Sequence, residues 1–381
     1  MPIRFYDDIG SAVAILEFAQ KTPIDGVLAV GDRPTVIAAQ VLEGLSLPGH
    51  PPAAAAAARN KLASRERLRD AGLPVPFFVP VPIATAAADA HALADSIPFP
   101  CVVKPLSLSG SRGVMRANNA EQLGAAFYRL RSLLQAPDIR AERSDGEDLA
   151  LVEGFIEGRE FAIEGVMNHG TLHVLAMFDK PDPLDGPFFE ETIYVTPPAI
   201  RAEVERAIVA GIRRAAQALG LWHGPIHAEC RVRGNEVFVL EVAARPIGGL
   251  CARALRFTGA ARPLISLEEL LLRHALGEPS TDWEREAVAS GVMMIPIPRR
   301  GVFRRASGLE EARGVAGVED VRITAKTDQL LVPLPEGGSY LGFIFARAGD
   351  PRTVERALRE AHGRLAFTID PEVPMLQSLH G

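Results

Sequence analysis

The sequence predicts an α+β protein built around antiparallel strands. Residues 4–45 alternate strand-like and helical patterns, residues 101–243 carry apolar runs separated by tight turns, and residues 291–370 mix strands and helices again. Hydrophobic residues make up 48% and charged residues 23% of the 381 residues, which is an ordinary globular composition. The chain is long enough for two or three domains, and a disordered, collagen-like or disulfide-scaffold protein is excluded.

Charge and cysteine content limit the partners that we expect. The formal net charge is −6, so the chain lacks an overall basic field that would hold nucleic acid or an anionic membrane. Asp7 and Asp8 stand where a secretory signal needs an apolar core, and no stretch reaches the ~18 apolar residues of a membrane span. Cys101, Cys230 and Cys251 show no metal-ligand spacing. We therefore expect a cytoplasmic protein without a nucleic-acid or membrane partner, and a homodimer is left open.

The N-terminal elements predict a short α/β lobe over residues 1–62. Two runs are strand-like, RFYDD and DGVLAVGD, and two have helical patterns, SAVAILEFAQ and PTVIAAQVLEGL. Only about two βα units precede Pro48, so the lobe is abbreviated relative to a doubly wound unit. The following stretch, PPAAAAAARNKLASRERLRDAG, predicts helix that ends at Gly72 and joins this lobe to the next.

The middle of the chain predicts an antiparallel sheet with a packed helix. The segments CVVKPL, SLSGSRG and VMRAN indicate a strand, a glycine-rich loop and a strand. Three more strands are expected in ALVEGFI, EFAIEGVM and TLHVLAMF, and the EGR and NHG turns between them suit tight antiparallel pairing of each strand with the next. An amphipathic helix follows over residues 199–219. The strands GPIHAECRV and EVFVLEVAA flank an RGN turn and predict a hairpin.

The remaining residues predict a mainly helical stretch to Gly277 and then a small α+β lobe over residues 291–381. Its strands are expected in VMMIPIP, DVRIT, YLGFIFARA and AFTID, and its late helix in PRTVERALREAHGRL.

Glu229 and Glu241 are the candidates for a metal site. If the RGN turn closes a hairpin, both carboxylates can project from one face of the sheet. Two buried carboxylates repel unless a cation lies between them, and Mg²⁺ prefers oxygen ligands. The alternative is that one or both glutamates face solvent on an edge strand.

Arg245 and the glycine-rich loop are the candidates for phosphate contacts. Arg245 leads into a Pro-Ile-Gly-Gly turn, and its guanidinium offers a fork of donors to phosphate or carboxylate oxygens, although a structural ion pair is the alternative. Ser109, Gly110 and Ser111 form the tip of the loop that follows Lys104. This loop is not a P-loop, because a P-loop places its lysine after the glycines and opens a helix.

Five segments occur in the order found in the ATP-grasp superfamily: KLASRERLRDAGLPVP, CVVKPLSLSGSRGV, LVEGFIEGREF, HAEC and LEVAARPIGG. Over residues 20–255 the chain resembles the carboxylate–amine ligases that include bacterial L-amino acid ligases, and the tail resembles their small C-terminal lobe. The resemblance implies the ATP-grasp fold, with a lid subdomain over residues 63–150 and a subdomain with the metal site over residues 151–290.

The resemblance also implies roles for individual residues. Lys61 and Lys104 are expected to contact phosphate, Glu153 and Ile156 to form the hinge against adenine, and Glu160 to bind ribose. Glu229 and Glu241 are expected to bind Mg²⁺, and Arg245 to steady an acyl phosphate. Ala243 departs from the family, since many members have a further asparagine ligand there, so the number of magnesium ions is left at one or two.

The candidates for substrate contacts are supported by fewer sequence observations than the metal and phosphate candidates. Lys180, Glu190 and Glu191 lie in DKPDPLDGPFFEETIY, which resembles a loop beside the acceptor site but also suits an ordinary surface loop. His227 precedes Glu229 by two positions and should share its face, although a strand histidine is usually a satisfied core residue. Gly248 and Gly249 form the turn after Arg245.

These expectations together indicate an ATP-dependent ligase that joins a small carboxylate and an amine, with amino acids among the candidates, through an acyl phosphate. Two alternatives stay open. One is a carboxylase or purine-pathway ligase on the same fold, with bicarbonate or phosphoribosylamine as substrate. The other is a nucleotide-binding module without ligase activity.

Overall fold

The computed structural model of the protein describes residues 3–84, 93–140, 148–259 and 263–372. Its α-helices alternate with sheets along the described chain, which confirms the mixed class. They are α1 (Asp8–Ala19), α2 (Thr35–Gly44), α3 (Pro52–Arg59), α4 (Lys61–Asp70), α5 (Ala120–Leu134), α6 (Pro137–Arg140), α7 (Ala202–Leu219), α8 (Leu267–Ala275), α9 (Leu309–Arg313) and α10 (Pro351–Arg364).

Residues 3–77 of the described chain form helices without a sheet, so the strands predicted in RFYDD and DGVLAVGD are wrong. An isolated extended run gains no ladder hydrogen bonds, and Val27 and Leu28 instead pack against apolar clusters. The predicted linking helix is divided into α3 and α4. Asn60 between them has an extended backbone, and its side chain accepts the N–H groups of Leu62 and Ala63 as a helix cap.

The first sheet carries the glycine-rich loop. Its strands are β1 (Phe78–Pro82), β2 (Cys101–Pro105), β3 (Met115–Ala117) and β4 (Leu149–Gly154), in the antiparallel order β1-β4-β2-β3. The predicted hairpin β2–β3 is confirmed. The expectation that β4 pairs with the strand that follows it is wrong, because β1 and β2 already occupy both of its edges. Helix α5 packs here through Phe127 and Leu130.

The second sheet has eight antiparallel strands. At one edge lies the hairpin that carries Glu229 and Glu241, the carboxylate hairpin. The strands of the sheet are β5 (Arg159–Asn168), β6 (Thr171–Asp179), β7 (Ile193–Thr196), β8 (Gly224–Arg233), β9 (Glu236–Ala243), β13 (Ala289–Ile295), β15 (Val318–Ile323) and β17 (Gly342–Ala348). They are arranged in the order β15-β17-β13-β7-β6-β5-β8-β9. Strands β13, β15 and β17 therefore extend the same sheet as the hairpin. The predicted helix α7 packs on this sheet through Ile208, Ile212 and Leu219.

Two small sheets complete the described chain: β11 (Ile265–Ser266), β10 (Arg256–Gly259) and β12 (Trp283–Arg285); and β16 (Leu330–Leu331), β14 (Gly301–Ser307) and β18 (Ala366–Asp370). The mainly helical stretch predicted before Gly277 is wrong in its first half. Phe257 and Ile265 pair across β10 and β11 and are buried, so they form a sheet instead. Among the described residues, no helix has the length and apolarity that crossing a bilayer requires.

His50 holds the start of β8 as a neutral imidazole. Its Nε2–H donates to the Pro225 carbonyl at 3.1 Å, and its Nδ1 accepts the Trp222 backbone N–H at 3.1 Å. Burial lowers the pKa of His50 to about 4 from its ordinary value of 6.5. A second proton on this ring would have to replace the bond from Trp222.

We expect acid to destabilise the protein through His50. Because the pKa in the folded chain is below that in the unfolded chain, the contribution is complete above pH 6.5 and is lost as the pH falls toward 4. At pH 5 the loss from this residue should be about 2 kcal/mol. Urea unfolding at pH 7.5 and pH 5 measures it, with His50→Gln as the control, since glutamine keeps a donor and an acceptor but does not titrate. The variant should lose less free energy of unfolding between the two values; an equal loss would exclude His50 as the cause.

Candidate active site

One cavity of about 870 Å³ lies between the two large sheets and the N-terminal residues. A volume of this order suits a bound small molecule. Every predicted site residue except Lys180 and Glu190 lines it: Lys61, Lys104, Ser109, Gly110, Ser111, Glu153, Ile156, Glu160, Glu191, His227, Glu229, Glu241, Arg245, Gly248 and Gly249. The structure thus brings together residues that are far apart in the sequence.

Glu229 and Glu241 face each other directly across β8 and β9, as the RGN turn predicts. Opposed residues of an antiparallel pair share a face, and both side chains open into the cavity with exposures of 19% and 28%. Lys61 Nζ lies 3.8 Å from Glu241 Oε2. Burial alone would raise the pKa of Glu229, but the charges of Lys180 and His227 hold it well below its ordinary value. The pair is therefore a set of hard anionic oxygens at the cavity wall.

Lys104 meets a buried carboxylate at the base of the glycine-rich loop. Glu153 bonds both to the Lys104 ammonium and to Arg65 Nε, the latter at 2.6 Å. Burial favours the neutral acid, but the charges of Arg65 and Lys104 lower the pKa of Glu153 to about 2. Sequence reasoning missed Arg65, which also donates to the Val239 carbonyl of β9 at 2.8 Å. Arg65 therefore ties the first sheet to the carboxylate hairpin.

Glu160, the residue predicted to bind ribose, is buried at the cavity wall and forms two ion pairs. It accepts from Lys180 Nζ at 2.7 Å and from Arg231 Nε at 2.8 Å. Arg231 also donates to the Ile156 carbonyl at 2.7 Å, so the two residues predicted for adenine and ribose share one arginine. Arg231 was not singled out in the sequence.

The glycine-rich loop folds over the cavity and contacts the C-terminal residues. Gly110 and Ser111 have left-handed backbones, with φ of 62° and 56°. Lys61 Nζ donates to the Leu108 carbonyl at 2.7 Å, which fixes one side of the loop. On the other side, Arg112 Nε donates to the Glu336 carbonyl at 2.7 Å. The sequence carries no local signal for this contact, because 224 residues separate its partners.

Arg245 both lines the cavity and forms an ion pair. Its Nε donates to Asp32 Oδ1 at 2.9 Å, and another guanidinium nitrogen donates to the Pro246 carbonyl at 3.0 Å. The two alternatives drawn from the sequence are thus compatible, since the pair itself faces the cavity. Asp32, from the turn after the extended run at residues 27–30, was missed. Gly249 continues the wall with a φ of 62°, which favours glycine.

His227 shares the face of Glu229, as predicted. Its Nδ1 bonds to Glu164, whose other oxygen accepts the Ile247 backbone N–H at 3.1 Å, and its Nε2 lies 3.7 Å from Glu229. Burial alone would lower the pKa of His227, but the carboxylate of Glu164 raises it to about 9. The imidazole is therefore a cation at neutral pH and bridges two carboxylates.

The loop predicted to meet substrate reaches the cavity through one of its three candidate residues. Glu191 lines the cavity, whereas Glu190 does not. Lys180 is 4% exposed and lies behind the wall, where its ammonium contacts carboxylates. In this structure the Lys180 side chain therefore does not reach the cavity in which substrate would lie.

Comparison with known proteins places this cavity in a family. Residues 97–254 match the ATP-grasp domain, and residues 293–370 match the L-amino acid ligase C-terminal domain 2. The chain is 30% identical over 256 residues to the D-alanine–D-alanine ligase of Ralstonia pickettii, covering 64% of this chain and 72% of that protein. It is 30% identical over 224 residues to the alanine–anticapsin ligase of Bacillus subtilis, covering 55% of this chain but only 46% of that protein.

Solved structures agree with the sequence comparison. The L-amino acid ligase from Bacillus licheniformis superposes with a TM-score of 0.80 at 29% identity, covering 96% of this chain and 86% of that chain. Phosphoribosylglycinamide synthetase from Anaerococcus prevotii has a TM-score of 0.64 at 15% identity over 95% of this chain and 87% of that one, a likeness of fold alone. The chain therefore belongs to the ATP-grasp superfamily, within its carboxylate–amine ligase branch.

Proposed function

We propose that the protein is an ATP-dependent ligase that joins the carboxylate of one small molecule to the amine of another, with amino acids as the first candidates. The observation that carries this proposal is the opposition of Glu229 and Glu241 in a cavity that Lys61, Lys104 and Arg245 also line. Such a cavity combines anionic oxygens for a metal with cations for phosphate. The ligase names of the sequence relatives support the same chemistry.

Glu229 and Glu241 fit a magnesium ion by the chemistry of their donors, since both offer hard carboxylate oxygens from one face of a hairpin. Ala243 lies opposite His227, two register positions from the glutamate pair and on the same face, and offers no ligand, so we propose one ion. When bound, Mg²⁺ would offset negative charge on the transferring phosphoryl group.

The proposed reaction has two steps, and the side chains of this protein would have separate roles in them. A substrate carboxylate oxygen attacks the γ-phosphorus of ATP, the bond to the β-phosphate oxygen breaks, and ADP leaves. The amine then attacks the acyl carbon, and phosphate leaves as the C–O bond breaks. Lys61 and Lys104 would hold phosphate, and Arg245 would stabilise the negative charge that develops on the acyl oxygen. The loop around Gly110 would exclude water that otherwise hydrolyses the acyl phosphate.

A screen for ADP release tests the proposal. Purified protein is incubated with ATP and Mg²⁺ together with single amino acids, pairs of amino acids, bicarbonate, or bicarbonate with an amine. We expect ADP and phosphate in equal amounts only with particular pairs, and a condensed product by mass spectrometry. Release that depends on bicarbonate alone would favour the carboxylase alternative. Nucleotide binding without release in any arm would favour a regulatory module.

We also propose a cytoplasmic location and no nucleic-acid partner. The three cysteines are buried and free, as a reducing compartment would keep them, and the sequence is acidic overall. A homodimer stays a prediction, which sedimentation of the purified protein would test.

A further inference from the structure

Lys180 lies at the centre of three carboxylates behind the cavity wall. Its Nζ is 2.7 Å from Glu160 Oε1, 2.9 Å from Glu191 Oε1 and 2.6 Å from Glu229 Oε1. The three carboxylates offer oxygens within 4.8 Å of one another, which is a spacing that a metal ion could use. A lysine ammonium therefore sits among donors that would otherwise suit a divalent cation.

The surrounding residues fix this ammonium in place. Lys180 follows the last residue of β6, and its backbone N–H donates to the Glu160 carbonyl at 3.3 Å. The ammonium lies 4.9 Å from the centre of the Tyr194 ring, and the Tyr194 hydroxyl donates to Glu229 at 3.2 Å. Arg231 holds the second oxygen of Glu160. The lysine thus has a single position, defined by bonds on several sides.

The charge of the cluster explains why a cation is needed there. Glu160 and Lys180 are both buried, and Glu229 and Glu191 are only partly exposed, so water screens their repulsion weakly. Without Lys180, the one ammonium that contacts all three carboxylates would be gone, although Arg231 would still bond to Glu160, and Tyr194 and His227 would still contact Glu229. A mobile divalent ion could then bind on this side of Glu229, away from Glu241.

We propose that Lys180 is a positioning residue: its ammonium is a built-in cation that holds Glu229 and prevents Glu160 and Glu191 from binding a divalent ion, so that metal binds only on the Glu241 side. The inference rests on the proposed function for the role of Glu229 as a metal ligand. The occupation of the three carboxylates by lysine does not depend on which reaction is catalysed.

Thermal unfolding with metal alone tests the proposal without any substrate. The variants are Lys180→Met, which keeps the length of the side chain without its charge, and Lys180→Arg, which keeps the charge. Each is unfolded in a chelator and in 10 mM MgCl₂, with no nucleotide present. We expect Lys180→Met to be destabilised in chelator and its thermal midpoint to rise by roughly 3 °C or more with Mg²⁺, because the three carboxylates that have lost the ammonium now bind the ion.

The controls separate this effect from a general loss of packing. Wild type and Lys180→Arg should show a clearly smaller response to Mg²⁺. Lys180→Met with Glu191→Gln should be more stable in chelator than Lys180→Met alone and should lose most of the response, because one carboxylate is gone. If Lys180→Met does not fold in chelator, the double variant is compared with wild type by its thermal midpoint in chelator and in Mg²⁺. Two results would overturn the proposal: equal responses of wild type and Lys180→Met to Mg²⁺, or a double variant that is no more stable in chelator than Lys180→Met alone. These measurements use metal alone, so they stay valid even if the wild-type protein shows no ligase activity.

Discussion

Replacing Glu241 with glutamine is expected to lower the rate of ATP-dependent ADP formation by ~10²-fold or more while the fold is kept. The side chain opens into the cavity opposite Glu229, and its ion-pair partner Lys61 lies 3.8 Å away. Glutamine has nearly the same shape but no charge, so it would weaken the metal and leave phosphate charge uncompensated. The rate of ADP release with the best substrate pair measures the effect.

Glu236→Gln is the matched control for this variant. Glu236 lies on the same strand β9, is exposed and pairs with Arg233 at the hairpin end, so its loss should leave the rate unchanged within a few-fold. Circular dichroism and the thermal midpoint establish that both variants are folded. A folded Glu241→Gln protein with an ADP-release rate close to that of wild type would refute the metal assignment.

Replacing Arg245 with lysine should reduce amide formation strongly, by about 10²-fold, and change ATP affinity much less. The guanidinium donates at once to Asp32 and to the Pro246 carbonyl, and a lysine ammonium cannot reproduce that planar arrangement. If Arg245 stabilises charge that appears only as the amine attacks, its replacement affects turnover and leaves ground-state binding nearly intact. Nucleotide titration and product detection by mass spectrometry are measured on the same preparation.

Arg233→Lys serves as the control for Arg245→Lys, because Arg233 is an exposed arginine at the end of β8. Hydroxylamine is added in parallel to trap the acyl phosphate as a hydroxamate. A proportional fall in ATP affinity and amide formation would make Arg245 a nucleotide-binding residue. Unchanged amide formation would remove it from the mechanism.

The carboxylate hairpin could be predicted because its geometry is local. A short turn sets the register of β8 and β9, and register decides which side chains share a face. The hairpin that carries the glycine-rich loop was predictable for the same reason. In both cases the signal lies within a few residues of the turn, where chain geometry leaves few choices.

The ion pairs that complete the site could not be predicted, because their partners are distant in the sequence. Arg245 and Asp32 are 213 residues apart, and Arg65 and Glu153 are 88 apart. Periodicity predicts that a strand or helix exists but not which elements become neighbours. Strand β4 illustrates this limit, since its pattern fits either sheet and only its neighbours decide.

In the N-terminal residues that the structure describes, the local pattern predicted strands that do not form. Residues 27–30 have the apolar composition of a buried strand, yet the described chain forms no ladder there. Strand propensity measures fit to a sheet, so an extended run without a neighbouring strand remains irregular. The turn that follows this run supplies Asp32, which bonds to Arg245 at the cavity and belongs to no motif in the sequence.

Transfer of oxygen from substrate to phosphate tests the central claim most directly. The carboxylate substrate of the most active pair is labelled with ¹⁸O in both carboxyl oxygens, and the released phosphate is analysed by mass spectrometry. If the carboxylate attacks the γ-phosphorus and the amine displaces phosphate from carbon, each phosphate should carry one ¹⁸O atom for every amide formed. Amide formation accompanied by unlabelled phosphate would contradict an acyl-phosphate ligase.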